Sequence, residues 1–232
     1  VDTGRLVANT LRWAAGKPKA RASQLRVGTF RLDSAARWLE DHNVQVEKLS
    51  ALNAQSLEAC DVFLTSRLRE PQQRAAVKAY VSGGGGLLAA DLGWGWQQLN
   101  PGKDLRTDHP GNQLLADSGI VWCDGYLKKS SEGDFLVDGP PARLTHAAAA
   151  IDAVVDQDGG RSSLSDSDVR QAVAIASRAV RSLPGDDSLL LPKLAGLEKA
   201  HAGSLVPSKK QPIVSREIAA VIFSFFRPAA RA

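Results

Sequence analysis

Four short apolar runs, set between helical patterns, constrain this 232-residue chain more than any other feature. They are LRVGTF (25–30), VQVEKL (44–49), DVFLTS (61–66) and GLLAAD (86–91). VQVEKL alternates, whereas DVFLTS and GLLAAD read as strands buried on both faces, the pattern of a parallel sheet covered by helices. Between them lie SAARWLEDH (34–42) and PQQRAAVKAYVS (71–82), both helical in pattern. Pro71 falls in the first turn, where its missing N–H is no loss. TGRLVANTLRWAA (3–15) reads as an opening helix, capped by Asp2 or Thr3 and ended by Gly16 and Pro18. The order predicts an α/β, doubly wound, flavodoxin-like parallel sheet. A short helix over 111–119 and one more strand over 119–127 are expected to follow.

From residue 143 the character changes. RLTHAAAAIDAVV (143–155) is helical, and SDSDVRQAVAIASRAVRSL (165–183) carries Val169, Val173, Ala176, Val180 and Leu183 on one stripe. Ser165 or Ser167 can cap the second helix, and Pro184-Gly185 stops it. Further helices are expected within 187–201, after Pro192, and over 212–226. Such stripes must pack on something, so residues 143–232 read as a C-terminal helical extension to an α/β domain of residues 1–142.

Composition narrows the function classes. Residues 1–37 hold eight Lys/Arg against Asp2 and Asp33, a local charge of +6, and the rest of the chain carries −2. The basic residues are not interleaved with aromatics, so they read as a solvated surface, with no nucleic acid expected as partner. No apolar stretch is long enough to span a bilayer. Cys60 and Cys123 are too few for a disulfide scaffold or a zinc cluster. His42, His109, His146 and His201 lack metal-ligand spacing, and no His-Glu-x-x-His occurs. No metal or cofactor is expected. The chain contains no Met and begins with Val1, which predicts that an N-terminal segment has been removed.

The most distinctive stretch runs from Ala79 to Tyr126. Gly83 to Gly86 follow a helix and precede a strand. A phosphate-cradling loop runs in the reverse order, so these glycines read as a helix stop requiring positive φ. The strand 86–91 ends in Asp91-Leu92-Gly93-Trp94-Gly95-Trp96-Gln97, where doubly wound sheets gather ligands. With His109 and Asn112 of Asp108-His109-Pro110-Gly111-Asn112, this gives a candidate ligand cleft of Asp91, Trp94, Trp96, Gln97, His109 and Asn112. Indole faces suit sugar stacking, although both could equally cover the end of the sheet.

The pattern YV-x-GGGGLL-x-AD-x-GWGW, with NPG and HPGN-x-LL after it, resembles the class I glutamine-amidotransferase-like domain, relative of trehalose-utilisation proteins. That domain precedes the catalytic unit of enhancin-like, mucin-targeting zinc metallopeptidases and is similar to part of the TRP-channel-associated factors. GRLVAN-x-LRWAAG and the tail sequences LPGDD-x-LLLP and VPSKKQPIV agree with the same resemblance, which spans nearly the whole chain. Active class I amidotransferases hold a Cys on a strand-to-helix turn. Leu92 or Gly93 stands there in this sequence. The resemblance therefore implies a non-catalytic accessory domain of a larger secreted, periplasmic or cell-surface protein, with any peptidase site outside this chain. Its expected partners are a neighbouring domain of the parent protein and a glycoprotein or glycan. The alternative is a hydrolase-type enzyme using Asp91 and His109 as an acid–base pair, which requires the two to meet in a water-accessible cleft.

Overall fold

The computed structural model describes residues 3–125 and 143–194. Along the chain these are α1 (Thr3–Ala14), β1 (Arg26–Thr29), α2 (Asp33–Asp41), β2 (Gln45–Lys48), α3 (Ala54–Glu58), β3 (Val62–Thr65), α4 (Pro71–Ser82), β4 (Gly86–Ala89), α5 (Gly93–Leu99), α6 (Leu105–Asp108), α7 (Pro110–Leu115), α8 (Ala147–Asp158) and α9 (Asp166–Ser182). They fall into two compact units. One comprises residues 1–92 with 109–115, and the other residues 93–108 with those from 116 onward.

The first unit is the α/β half. Its four strands are all parallel, in the order β2-β1-β3-β4. The fold class read from the apolar runs is thus the observed one. Val27 of β1 and Val62 of β3 lie side by side and pack with Leu11 of α1 and Leu39 of α2. Phe63, the next residue along β3, alternates to the other face and is fully buried. On that face a Cβ at Gly28 would meet the Cys60 thiol. Burying a Val or Leu side chain contributes about 1.5–3 kcal/mol, so these few contacts dominate the unit.

The glycine run works at two points. Gly84 has φ +94° and its N–H returns to the Val81 carbonyl, turning the chain out of α4. A Cβ at Gly86 would sit 2.4 Å from the Ala14 carbonyl oxygen, so β4 starts against the end of α1 only because no side chain is there.

The second unit is helical. Ile151 and Val154 of α8 pack with Val169, Val173 and Ala176 of α9 in one core, with Leu183 after the helix. The Ser165 hydroxyl accepts from the Asp168 N–H and caps α9. One expectation fails here. Residues 119–125 form no strand. Gly119 takes φ +74°, and Val121 joins the α8–α9 core instead of a sheet. The turn after β4 leads into a helix, α5. The helix expected over 212–226, residues 195–201 of the helix expected after Pro192, residues 126–127 and Asp2 lie outside the described residues; residues 191–194 are helical.

Candidate functional site

Asp91 follows β4, and His109 precedes α7; both belong to the first unit. The two meet. His109 Nε2 lies 3.2 Å from Asp91 Oδ2, with the side chains 0% and 3% exposed. The Asn112 N–H donates to His109 Nδ1 at 3.2 Å, which assigns the proton of the neutral ring to Nε2, facing the carboxylate. Asp91 also accepts from the Leu92 N–H at 2.8 Å and from Arg67 Nε through both oxygens at 3.1 Å.

Burial pushes the His109 imidazole below the ordinary histidine range; Asp91 opposes this, and the Arg67 charge adds to it. The ring is therefore neutral at neutral pH. An acid–base pair needs its groups within reach and needs water or substrate to touch them. Here the first condition is met and the second is not. Asp91 and His109 form a sealed polar clamp whose outward member is Arg67, one-third exposed.

Asn112 is also fully buried in the first unit. The remaining candidate residues lie on α5 in the second unit. Trp96 is buried, Trp94 is half-buried and Gln97 is exposed. Gly93, buried at the head of α5, has the Cys123 carbonyl oxygen 2.4 Å from where a Cβ would stand. No side chain fits at that position, so it cannot carry a nucleophile. Cys60 and Cys123 are unbridged. Cys60 precedes β3, at the opposite end of the sheet from Asp91, and burial raises its thiol pKa.

Comparison with known proteins supplies the family. A family model described as "TRPM8, N-terminal domain" (TCAF_N) matches residues 2–134. The chain belongs to the TCAF_N family. TRPM8 channel-associated factor 2 of Homo sapiens is 26% identical over 161 residues, covering 68% of this chain and 16% of that protein. The Bos taurus protein of the same name is 26% identical over 129 residues, covering 54% of this chain and 13% of its own length. The chain thus matches less than a fifth of the length of these relatives. No solved structure matches. Membership in TCAF_N corrects the expected secreted, periplasmic or cell-surface location. That expectation followed the likeness to peptidase-linked domains, whereas the matching proteins are named as channel-associated factors.

Sequence reasoning missed Arg67 and the residues around it. The order β2-β1-β3-β4 reverses direction between β1 and β3, so the crevice at the carboxyl ends of those two strands is the topological switch point. A cavity of about 430 Å³ opens there, lined by residues that include Arg31, Thr65, Arg67 and Arg69. The signal was present in SRLRE (66–70), directly after the apolar run of β3. Among the described residues, no group of His, Cys, Asp and Glu is arranged to hold a metal, and no helix is long and apolar enough to cross a membrane.

Proposed function

We propose that this TCAF_N chain is a non-catalytic accessory module that works by binding a protein partner. The observation that carries the reading is the sealing of the Asp91–His109 pair, 3% and 0% exposed, at the strand ends where a working relative would hold its chemistry. The relatives' name, channel-associated factor, supplies the partner class: an ion channel of the TRPM8 type. The likeness to class I amidotransferase-like domains beside enhancin-like peptidases supports a finer reading, in which the partner is a neighbouring domain of the parent protein, or a glycoprotein. The exposed Gln97 and half-buried Trp94 favour a glycan surface on α5, and the burial of Trp96 weighs against it.

Biolayer interferometry distinguishes these readings. The chain is presented to reconstituted TRPM8 channel and, separately, to mucin-type glycopeptides. Saturable binding to the channel is expected. Binding confined to glycopeptides would replace the channel with a glycan partner. Hydrolysis of amide or ester substrates that disappears in His109→Gln would overturn the non-catalytic reading.

We further propose that residues 1–142 are a class I amidotransferase-like α/β module and 143–232 a helical extension or connector, on the strength of the change in sequence character at 143. The packing of Val121 on the α8–α9 core weighs the other way. A soluble, cooperatively unfolding fragment of residues 1–142 supports the division, and an aggregating one removes it.

A further inference from the structure

We propose that the crevice between the carboxyl ends of β1 and β3 binds a small ligand carrying a phosphate monoester. This goes beyond the partner-binding reading and does not depend on it. The site lies wholly within the first unit. Its volume, about 430 Å³, is within the range of pre-formed small-molecule pockets. Three guanidinium side chains line it, Arg31, Arg67 and Arg69, against one carboxylate, Glu70.

The three arginines are not equivalent. Arg67 is held in place from behind, since its Nε donates to both oxygens of the buried Asp91. Asp91 is in turn held by the Leu92 N–H and His109. The sealed clamp therefore works as a positioning device for a cation at the cavity wall. Arg31 takes φ +56°, a left-handed conformation that costs a non-glycine residue energy. Its guanidinium lies 4.9 Å from the centre of the Phe30 ring, which orients it. Arg69 is exposed on the loop before α4. Two arginines fixed by other contacts and a third beside them suit the delocalised, multiply accepting oxygens of a phosphate.

The rest of the wall agrees. Thr65, 1% exposed, ends β3 within the cavity lining. Both α2 and α4 begin at this crevice without a side-chain cap, so their positive ends add to the field. Phe30 and Leu32 offer apolar surface to the organic part of the ligand. A bare surface cluster of arginines would have neither the cavity nor the buried clamp behind it.

Isothermal titration calorimetry on the full chain tests this with inorganic phosphate, glucose 6-phosphate and AMP. Saturable one-to-one binding of at least one monoester, tighter than of inorganic phosphate, is expected. Arg69→Gln, which removes an exposed cation outside the clamp, is expected to weaken it roughly tenfold to a hundredfold. Arg21→Gln, before β1 at the opposite end of the sheet, is expected to leave it unchanged. Amide shifts on titration are expected at Thr65, Ser66 and Gln73. The proposal is overturned if the folded chain binds none of the three at millimolar concentration. It is equally overturned if Arg21→Gln weakens binding as much as Arg69→Gln. Binding found only with a phosphoserine peptide would assign the crevice to a macromolecule and sink the small-ligand reading.

Discussion

Replacing Asp91 with alanine tests whether the clamp is structural. The substitution removes an acceptor that serves the Leu92 N–H at 2.8 Å, Arg67 Nε at 3.1 Å and His109 Nε2 at 3.2 Å. Leu92 is exposed, so water can replace that contact, and the Arg67 pair is one-third open to solvent and is discounted accordingly. His109 is the costly member, because a buried donor that loses its acceptor costs about 1–3 kcal/mol. With about 1 kcal/mol for the other two contacts together, the expected loss is roughly 2–4 kcal/mol, against a typical domain total of about 5–15 kcal/mol. Native-state hydrogen exchange at the β1 and β3 amides reads this loss within the unit concerned. A loss under about 1 kcal/mol would refute the clamp. Acid dependence gives a second reading. The folded-state pKa of His109 is lowered, so the unfolded chain takes up a proton before the folded one does. That contribution to stability is complete above the unfolded value of about 6.5 and is lost as pH falls through the window down to the folded value. The slope reaches at most about 1.4 kcal/mol per pH unit. Asp91 supports the charged ring, so Asp91→Ala should extend the window to lower pH. A variant whose stability is flat below pH 6.5 would refute this assignment of the proton.

Two further outcomes are expected. Gly86→Ala places a methyl group 2.4 Å from the Ala14 carbonyl oxygen and 2.9 Å from that of Asp61, both backbone atoms that cannot rotate away; urea unfolding should show a loss of about 1–3 kcal/mol, and an unchanged midpoint would refute the close approach. Tyr80 is pushed up to about 12 by burial, aided by Cys60 and Asp61, so ultraviolet titration should show one of the two tyrosines ionising late, with the stability it carries lost as pH rises from about 10 to about 12; both tyrosines titrating together near 10 would contradict the buried hydroxyl.

The sheet was legible because its signal is local. Each apolar run became a strand within two residues of its expected ends, and Pro71 and Gly84 mark the start and stop of α4 through chemistry visible in single residues. The helix α3 was missed although Asn53 and Ser56 form a reciprocal cap that the sequence carries plainly. The site was harder to read. Gly93 and Gly95 argue against a helix by propensity, yet α5 forms, and Gly93 is glycine because a carbonyl from thirty residues further on needs the space. Val121 and Trp122 alternate with neighbours as a strand would, but the α8–α9 core captures Val121 first. His109 and Asp91 were identified together from the end-of-strand rule, but their burial is a tertiary property with no local trace. Arg67 shows the same limit from the other side. Nothing in SRLRE reveals that one arginine is fastened by a carboxylate twenty-four residues away.

The first unit is assembled from two separate stretches of chain, 1–92 and 109–115. During synthesis, all four strands are therefore made before the segment that contributes His109. Until then Asp91 has no imidazole to meet, and its carboxylate lacks one of the N–H groups that face it. A stop or frameshift between the two stretches would yield a product that keeps every strand yet lacks the buried ring of His109.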